Sequence, residues 1–383
     1  MSEYQYYEFQ AVDHRLTQKQ MDELRDYSSR AEITPTSFVN VYNWGSFKGN
    51  VDKWMEKYFD AFLYVANWGT RRLIFRIPKR LLNPDTVAGY HADETLWSRM
   101  DGDHLVLSFD SNEEEPGWEE GEGWLDSLIP LRSDLMNGDH RCLYLGWLSA
   151  VHRGMLADDD LDPPVPPGLS SLSEPLESLA KFLRIDPDLI ATVSEKSGEK
   201  LPHGPSKDDL ATWVANLPSK DKDSFLMRLL DGDDPHVAAE FRQRALFEIR
   251  GAADSASGLQ SGGRRSVGEL VARAEVISKE RKKREAEKKA KEEARLEKIR
   301  TENHKRHVES LFGKEAALWT EVDNLIATKQ QKRYDEAVSI LIDLRDLARM
   351  QGKTTEFANR MNALHCEHDR KPSLRNRLHK ANL

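Results

Sequence analysis

The chain has two cysteines in 383 residues, Cys142 and Cys366, far apart in sequence. They cannot build a disulfide framework, and their scarcity reads as a reducing, cytoplasmic setting. No apolar run approaches eighteen residues, so no membrane-spanning helix and no membrane partner are expected. The opening Met1-Ser2-Glu3-Tyr4 has neither a basic nor an apolar segment, so no signal peptide is expected. Familiar catalytic patterns are missing too. There is no Gly-x-x-x-x-Gly-Lys-Ser/Thr phosphate loop, no Gly-x-Gly-x-x-Gly, no Gly-x-Ser-x-Gly and no His-Glu-x-x-His. Nothing calls for a cofactor. Hydrophobic residues make up 39% and charged residues 32%, so part of the length is expected to lie outside a packed core.

What is present organises around residues 32–78. The tripeptide Asn-Trp-Gly occurs twice, at Asn43-Trp44-Gly45 and Asn67-Trp68-Gly69, each time closing a run of β-branched and aromatic residues. The second copy reads as a hairpin tip between Phe62–Ala66 and Arg71–Ile77. Strands are also expected at Tyr6–Val12, Ile33–Tyr42 and His104–Phe109. Helices are expected from Thr17, with Gln20 completing a capping box, and over Val51–Asp60. Seven of the nine tryptophans precede residue 148, which places the largest aromatic core here. The expectation for 1–157 is an α+β domain, a mixed sheet with helices packed on one face.

All-α modules are expected to follow. Residues 110–123 read as a solvated acidic loop, and two helices at about 124–137 and 140–156 are separated by Gly138 as a cap. Asp158–Gly168, with three consecutive acids and four prolines, reads as a stiff linker. Residues 169–250 read as a small helical bundle, with starts at Asp186-Pro187, Ser206 with Asp209, Pro218-Ser219 and Asp234-Pro235. A Gly/Ser-rich flexible linker, 251–268, leads to a long charged helix, 269–312, about 60 Å long at about 1.5 Å per residue. Between Ser278 and Arg295 its only apolar residues are alanines, so a solvated single helix is expected over a coiled coil. Residues 313–383 return to amphipathic helices.

Charge is unevenly placed within a net −9. Asp93–Asp126 holds twelve acids against one base, whereas Lys279–Arg306 holds thirteen Lys or Arg against seven Glu. The basic helix, through Lys282, Lys283, Lys288 and Lys289, is a candidate for weak phosphate-backbone contact. A second candidate is Arg71, Arg72 and Arg76 beside Trp68 and Phe75, a composition suited to single-stranded nucleic acid. The alternative for Arg71 and Arg72 is pairing with the acidic loop. His365-Cys366-Glu367-His368 and Asp158-Asp159-Asp160 lack the companions a metal site needs, so no metal is expected. An unfamiliar enzyme site around His91, His104 or the acidic loop is the third alternative.

Two stretches resemble known families. Tyr7-Glu8-Phe9-Gln10-Ala11, Ile33-Thr34-Pro35-Thr36-Ser37-Phe38-Val39-Asn40 and Ala66-Asn67-Trp68-Gly69-Thr70-Arg71-Arg72-Leu73 resemble a family of bacterial conserved hypothetical proteins, over the first half of the chain. That resemblance implies no activity. Tyr334-Asp335-Glu336-Ala337-Val338 is similar to the helical hairpin of tetratricopeptide-like repeats and to the tails of SWIM zinc-finger proteins, whose finger is lacking here. Together these features lead to the expectation of a non-enzymatic bacterial interaction or scaffold protein. Its C-terminal module would engage a protein partner.

Overall fold

The computed structural model describes residues 3–92, 94–114, 117, 120–198, 206–254 and 264–383. The chain forms two compact units, Met1–Glu280 and Arg281–Leu383.

The first unit begins with β1 (Gln5–Gln10), α1 (Gln18–Arg25), β2 (Glu32–Thr34), β3 (Ser37–Tyr42), α2 (Val51–Lys57), β4 (Ala61–Ala66), β5 (Arg71–Pro78), α3 (Pro84–Ala88), β6 (Leu96–Asp101) and β7 (His104–Ser111). The seven strands form one sheet in the order β2-β3-β1-β4-β5-β7-β6. The α+β class is as expected, but every pairing is antiparallel where a mixed sheet was expected. Three of the six pairs, β2–β3, β4–β5 and β6–β7, are hairpins, and only antiparallel neighbours can be joined by such tight turns. Two further differences follow from local chemistry. Ile33–Tyr42 is not one strand: Pro35 and Thr36 turn the chain between β2 and β3, since proline donates no ladder bond. Strand β6, half of it polar, was not foreseen. It lies at the sheet edge, joined to β7 through Gly102 at φ 57°.

Helices cover both faces of the sheet, not one. On one face Phe9, Phe38, Phe62, Ile74 and Val106 pack with Leu24 of α1 and Trp54 and Met55 of α2. On the other, Tyr6, Leu63, Leu73, Phe75, Leu107 and Phe109 pack beneath the following helices. These are α4 (Trp124–Leu128), α5 (Pro130–Met136), α6 (Arg141–His152), α7 (Glu174–Phe182) and α8 (Pro187–Ser194). The central strands β4 and β5 are apolar on both sides, so one solvated face was never available to them. Helix α6 lies against the sheet at Gly146. A Cβ there would stand 3.0–3.1 Å from Leu96 and Phe109, which is why the close approach needs glycine. At the hairpin tip, Gly69 has φ 98°, and a Cβ would meet the carbonyl of Glu113.

The core does not stop at residue 157. It runs on through Leu169, Leu179, Phe182, Leu189 and Val193, so α7 and α8 belong to the first unit and not to a separate 169–250 bundle. Asp158–Gly168 is not a free linker either. The backbone N–H groups of Gly268 and Val267 donate to the carbonyls of Asp158 and Asp160, and Leu161 bridges Ser266. Buried Asp162 pairs with buried Arg265. Helices α9 (Lys207–Asn216), α10 (Ser219–Asp231) and α11 (Val237–Asp254) follow α8, with a small cluster of their own at Trp213, Leu217 and Ala245. Of the expected flexible linker 251–268, residues 255–263 lie outside the described residues, 251–254 extend α11, and 264–268 pack on the core.

Helix α12 (Val267–Ser310) starts with Val267, Leu270 and Ala274 in the first core. From Lys279 to His307 every residue is exposed, as expected of a solvated single helix. The second unit is completed by α13 (Glu315–Ala327), α14 (Gln331–Gln351), α15 (Thr354–Glu367) and α16 (Pro372–Lys380). Helix α14 touches α13, α15 and α16, so the unit closes around it. Its buried stripe, Tyr334, Ala337, Val338, Leu341, Leu344 and Leu347, supplies much of that core. No helix among the described residues is long and apolar enough to cross a membrane.

Candidate functional site

The three arginines expected to share a surface do not. Strand alternation sends residue 71 to one face and residues 72 and 76 to the other. Arg71 is buried and donates to the carbonyls of Lys181 and Phe182 at 3.1 and 2.9 Å. Its guanidinium lies beside the paired rings of Trp124 and Phe182, 5.6 and 5.7 Å from their centres. Burial, aided by the charge of Arg184, pushes its pKa down to about 10. It ties β5 to α7 and meets no phosphate from solvent. Arg72 pairs with Asp110, and Phe75 is wholly within the core. The acidic loop instead meets Arg184, whose Nε lies 2.9 Å from Glu113. Helix α12, by contrast, does present its lysines. Lys282, Lys283 and Lys288 are exposed and engage no ion pair among the described residues, while Lys289 stands 3.9 Å from Glu293.

The densest polar cluster gathers at one end of the sheet. The antiparallel registers Gln10↔Ala61 and Pro78↔His104 bring the end of β1, the start of β4, the end of β5 and the start of β7 together. Asp13 follows β1, Asp60 precedes β4, Arg76 lies near the end of β5, and His104 opens β7. From the helices come Arg132 of α5 and His236, just before α11. A cleft of about 230 Å³ is lined by Asp13, His14, Asp60, Arg76, Arg80, His104, Asp234 and His236, among others.

Asp13 is the hub. Arg132 donates to both its oxygens, at 2.8 and 2.6 Å, and His236 Nε2 stands 2.7 Å from Oδ2. Burial acts to raise the Asp13 pKa, but the hydrogen bonds from His236 and Arg132 overcome it and hold the carboxyl well below the usual range. Asp60 accepts the backbone N–H groups of Val12 and Asp13 at 2.8 and 2.9 Å. Arg76 lies 3.5 Å from Asp101 and 4.0 Å from Asp60, and a terminal nitrogen stands 3.0 Å from His104 Nδ1. An arginine only donates, so Nδ1 accepts and the neutral ring carries its proton on Nε2. Burial, then the Arg76 charge, lowers the His104 pKa. Outside this hub, Arg80 and Arg228 both clamp Asp234 and Glu240.

These charges engage one another. Asp13 already takes three donors, and no serine, cysteine, threonine or lysine lines the cleft to act as a nucleophile. The arrangement fastens α11 to the sheet end. His91, the other histidine considered, faces Ser98 Oγ at 2.8 Å on the surface. No group of three or more metal-ligating side chains suited to an ion occurs among the described residues. No sequence spacing connects Asp13, Arg132 and His236.

The second unit has a more open site. A groove of about 370 Å³ runs between α13, α14 and α15. Trp319, Leu344, Leu347 and Phe357 line it, with Glu315, Lys353, Glu356 and Arg360 also on its walls. Arg360 lies over the Trp319 ring at 4.5 Å, and Trp319 meets Phe357 at 5.8 Å. Compared with known protein families, characterised proteins and solved structures, the chain matches none.

Proposed function

We propose that this is a non-enzymatic interaction protein of the bacterial cytoplasm, and that its C-terminal helical unit takes a polypeptide partner. The observation that carries the reading is the groove in the second unit. Phe357 and the edge of Trp319, set among exposed charges of both signs, are the make-up of a peptide-binding surface: the rings meet an apolar side chain, and the rim orients the chain. Lys353 and Arg360 would face a carboxylate on the partner. The network of the first unit supports the same reading, because Asp13, Arg132 and His236 are engaged with one another and hold the fold together.

The test is recovery of the tagged full chain from its host, with and without nuclease. A polypeptide partner is expected to survive nuclease and to drop roughly tenfold in yield for Lys353→Glu with Arg360→Glu, a loss of about 1.4 kcal/mol in binding. Both side chains are exposed, so folding is expected to be unchanged. A yield insensitive to these reversals would sink the groove reading.

Nucleic-acid contact through α12 is the second reading, favoured by the unpaired exposure of Lys282, Lys283 and Lys288. Lys282 and Lys289 are two turns apart and share a face, but Lys283 and Lys288 diverge to either side. Seven glutamates are interspersed from Lys279 to Arg306. Duplex binding is therefore expected to be weak and to fall steeply between low and physiological salt. Reversing Lys282, Lys283, Lys288 and Lys289 to Glu should abolish it in a titration with labelled duplex. Binding that resists physiological salt would refute this.

A further inference from the structure

Helix α10 has no buried residue. One side of it does face α11. Phe225 meets Phe241 with ring centres 4.8 Å apart, Arg228 pairs with Asp234 and Glu240, and Arg244 reaches Asp221. The opposite side carries Leu226, Met227, Leu229 and Leu230, exposed by 58, 57, 57 and 79%. At about 100° per residue, these four cover one stripe of roughly 160°. Scattered exposed apolar residues are ordinary, but four large ones on one helix face mark a surface that is covered by something.

The charges beside the stripe say what covers it. Lys220 stands near the start of α10 and Asp231 at its end, both exposed. They are about three turns apart and so lie on the same flank of the stripe. Neither makes an ion pair among the described residues. A two-fold axis perpendicular to a pair of antiparallel helices keeps each flank on its own side while reversing the helix direction. It therefore sets Lys220 of each copy opposite Asp231 of the other, with Leu226 and Leu230 between them. A parallel two-fold runs along the helices and carries the flank to the opposite side, so it brings Lys220 of one copy to neither charge of the other.

We infer that the exposed face of α10 docks a second copy of this chain, antiparallel about a two-fold axis near Leu226. Self-complementarity of this kind is what an isologous contact requires. A contact resting on one thirteen-residue helix is at the small end of interface sizes, so the dimer forms in the micromolar range or weaker.

Sedimentation of the full chain between about 1 µM and about 1 mM tests this, spanning the range where such a contact dissociates. The wild type is expected to shift from monomer to dimer. Leu226→Glu with Leu230→Glu should be monomeric throughout, with an unchanged circular dichroism spectrum, because both side chains are exposed. Lys220→Asp and Asp231→Lys should each weaken the dimer about tenfold, and their combination in one chain should restore it. A wild type that stays monomeric at the highest concentration overturns the inference, whatever other protein binds the stripe. So does a dimer that persists in the double-glutamate variant, or one indifferent to the single charge reversals.

Discussion

Asp13→Ala is expected to lower the stability of the first unit by about 3–5 kcal/mol, the range for removing one partner of a buried ion pair. The loss is this large because the substitution strands what surrounds it. Arg132 is 2% exposed and has only Asp60, at 3.9 Å, and the Arg76 carbonyl left to meet. His236 loses its partner as well. Urea titration followed by circular dichroism measures the effect, and a loss under about 1 kcal/mol would mean that the network is no tighter than a surface pair. The acid limb carries the same signature. The folded Asp13 pKa lies below its unfolded value of about 3.9. Its contribution is therefore complete above that pH and disappears as the pH falls through the folded value. His104 acts earlier and in the same direction. Its folded pKa is lowered, so below about pH 6.5 the unfolded chain takes up a proton first and stability drops. Wild-type stability should therefore decline on acidification, and Asp13→Ala should make the lower part of that decline shallower, the remainder belonging to other paired carboxylates such as Asp234 and Glu240.

Phe9→Ala is the second large effect, again about 3–5 kcal/mol. Phe9 is wholly buried and lies at the centre of the smaller core. Its ring centre is 4.4 Å from Phe62, 5.1 Å from both Trp54 and Phe59, and 5.9 Å from Phe38. These neighbours come from two strands, one helix and the turn before β4, so no single side chain can move in to fill the space. Trp44→Ala is the comparison. Trp44 is 67% exposed and stacks only under Arg30, so its loss should cost under about 0.5 kcal/mol. Equal thermal shifts for the two variants would show that the aromatic cluster collapses around the gap.

Legibility in the sequence followed the range of the interactions involved. The capping boxes at Thr17 with Gln20 and at Ser206 with Asp209 were readable, because donor and acceptor are three residues apart. Gly138 was readable for the same reason, as a left-handed residue after α5. The second Asn-Trp-Gly was rightly taken as a hairpin tip. What was missed depends on distant partners. Pro130 divides what read as one helix over 124–137, and the acids and prolines of 158–168 looked like a linker until residues 265–268 supplied their bonds. Arg71 looked like a surface cation because its sequence neighbours are polar, while its actual neighbours are Trp124, Lys181 and Phe182. The site at the sheet end was hidden most completely, since Asp13 meets Arg132 across 119 residues and His236 across 223.

The closure of the larger core by Val267 and Leu270 also sets a timetable. Tyr6 and Leu270 share that core, and Leu270 is completely buried. A ribosome adds about 5–20 residues per second, so the first strand emerges roughly ten to fifty seconds before the residues that complete the core it belongs to. The Phe9 face meets no such delay, because everything that covers it has been made by residue 106. One side of the sheet can therefore pack early in synthesis, while the other waits for α4–α8, and its core is completed only after translation has passed residue 270.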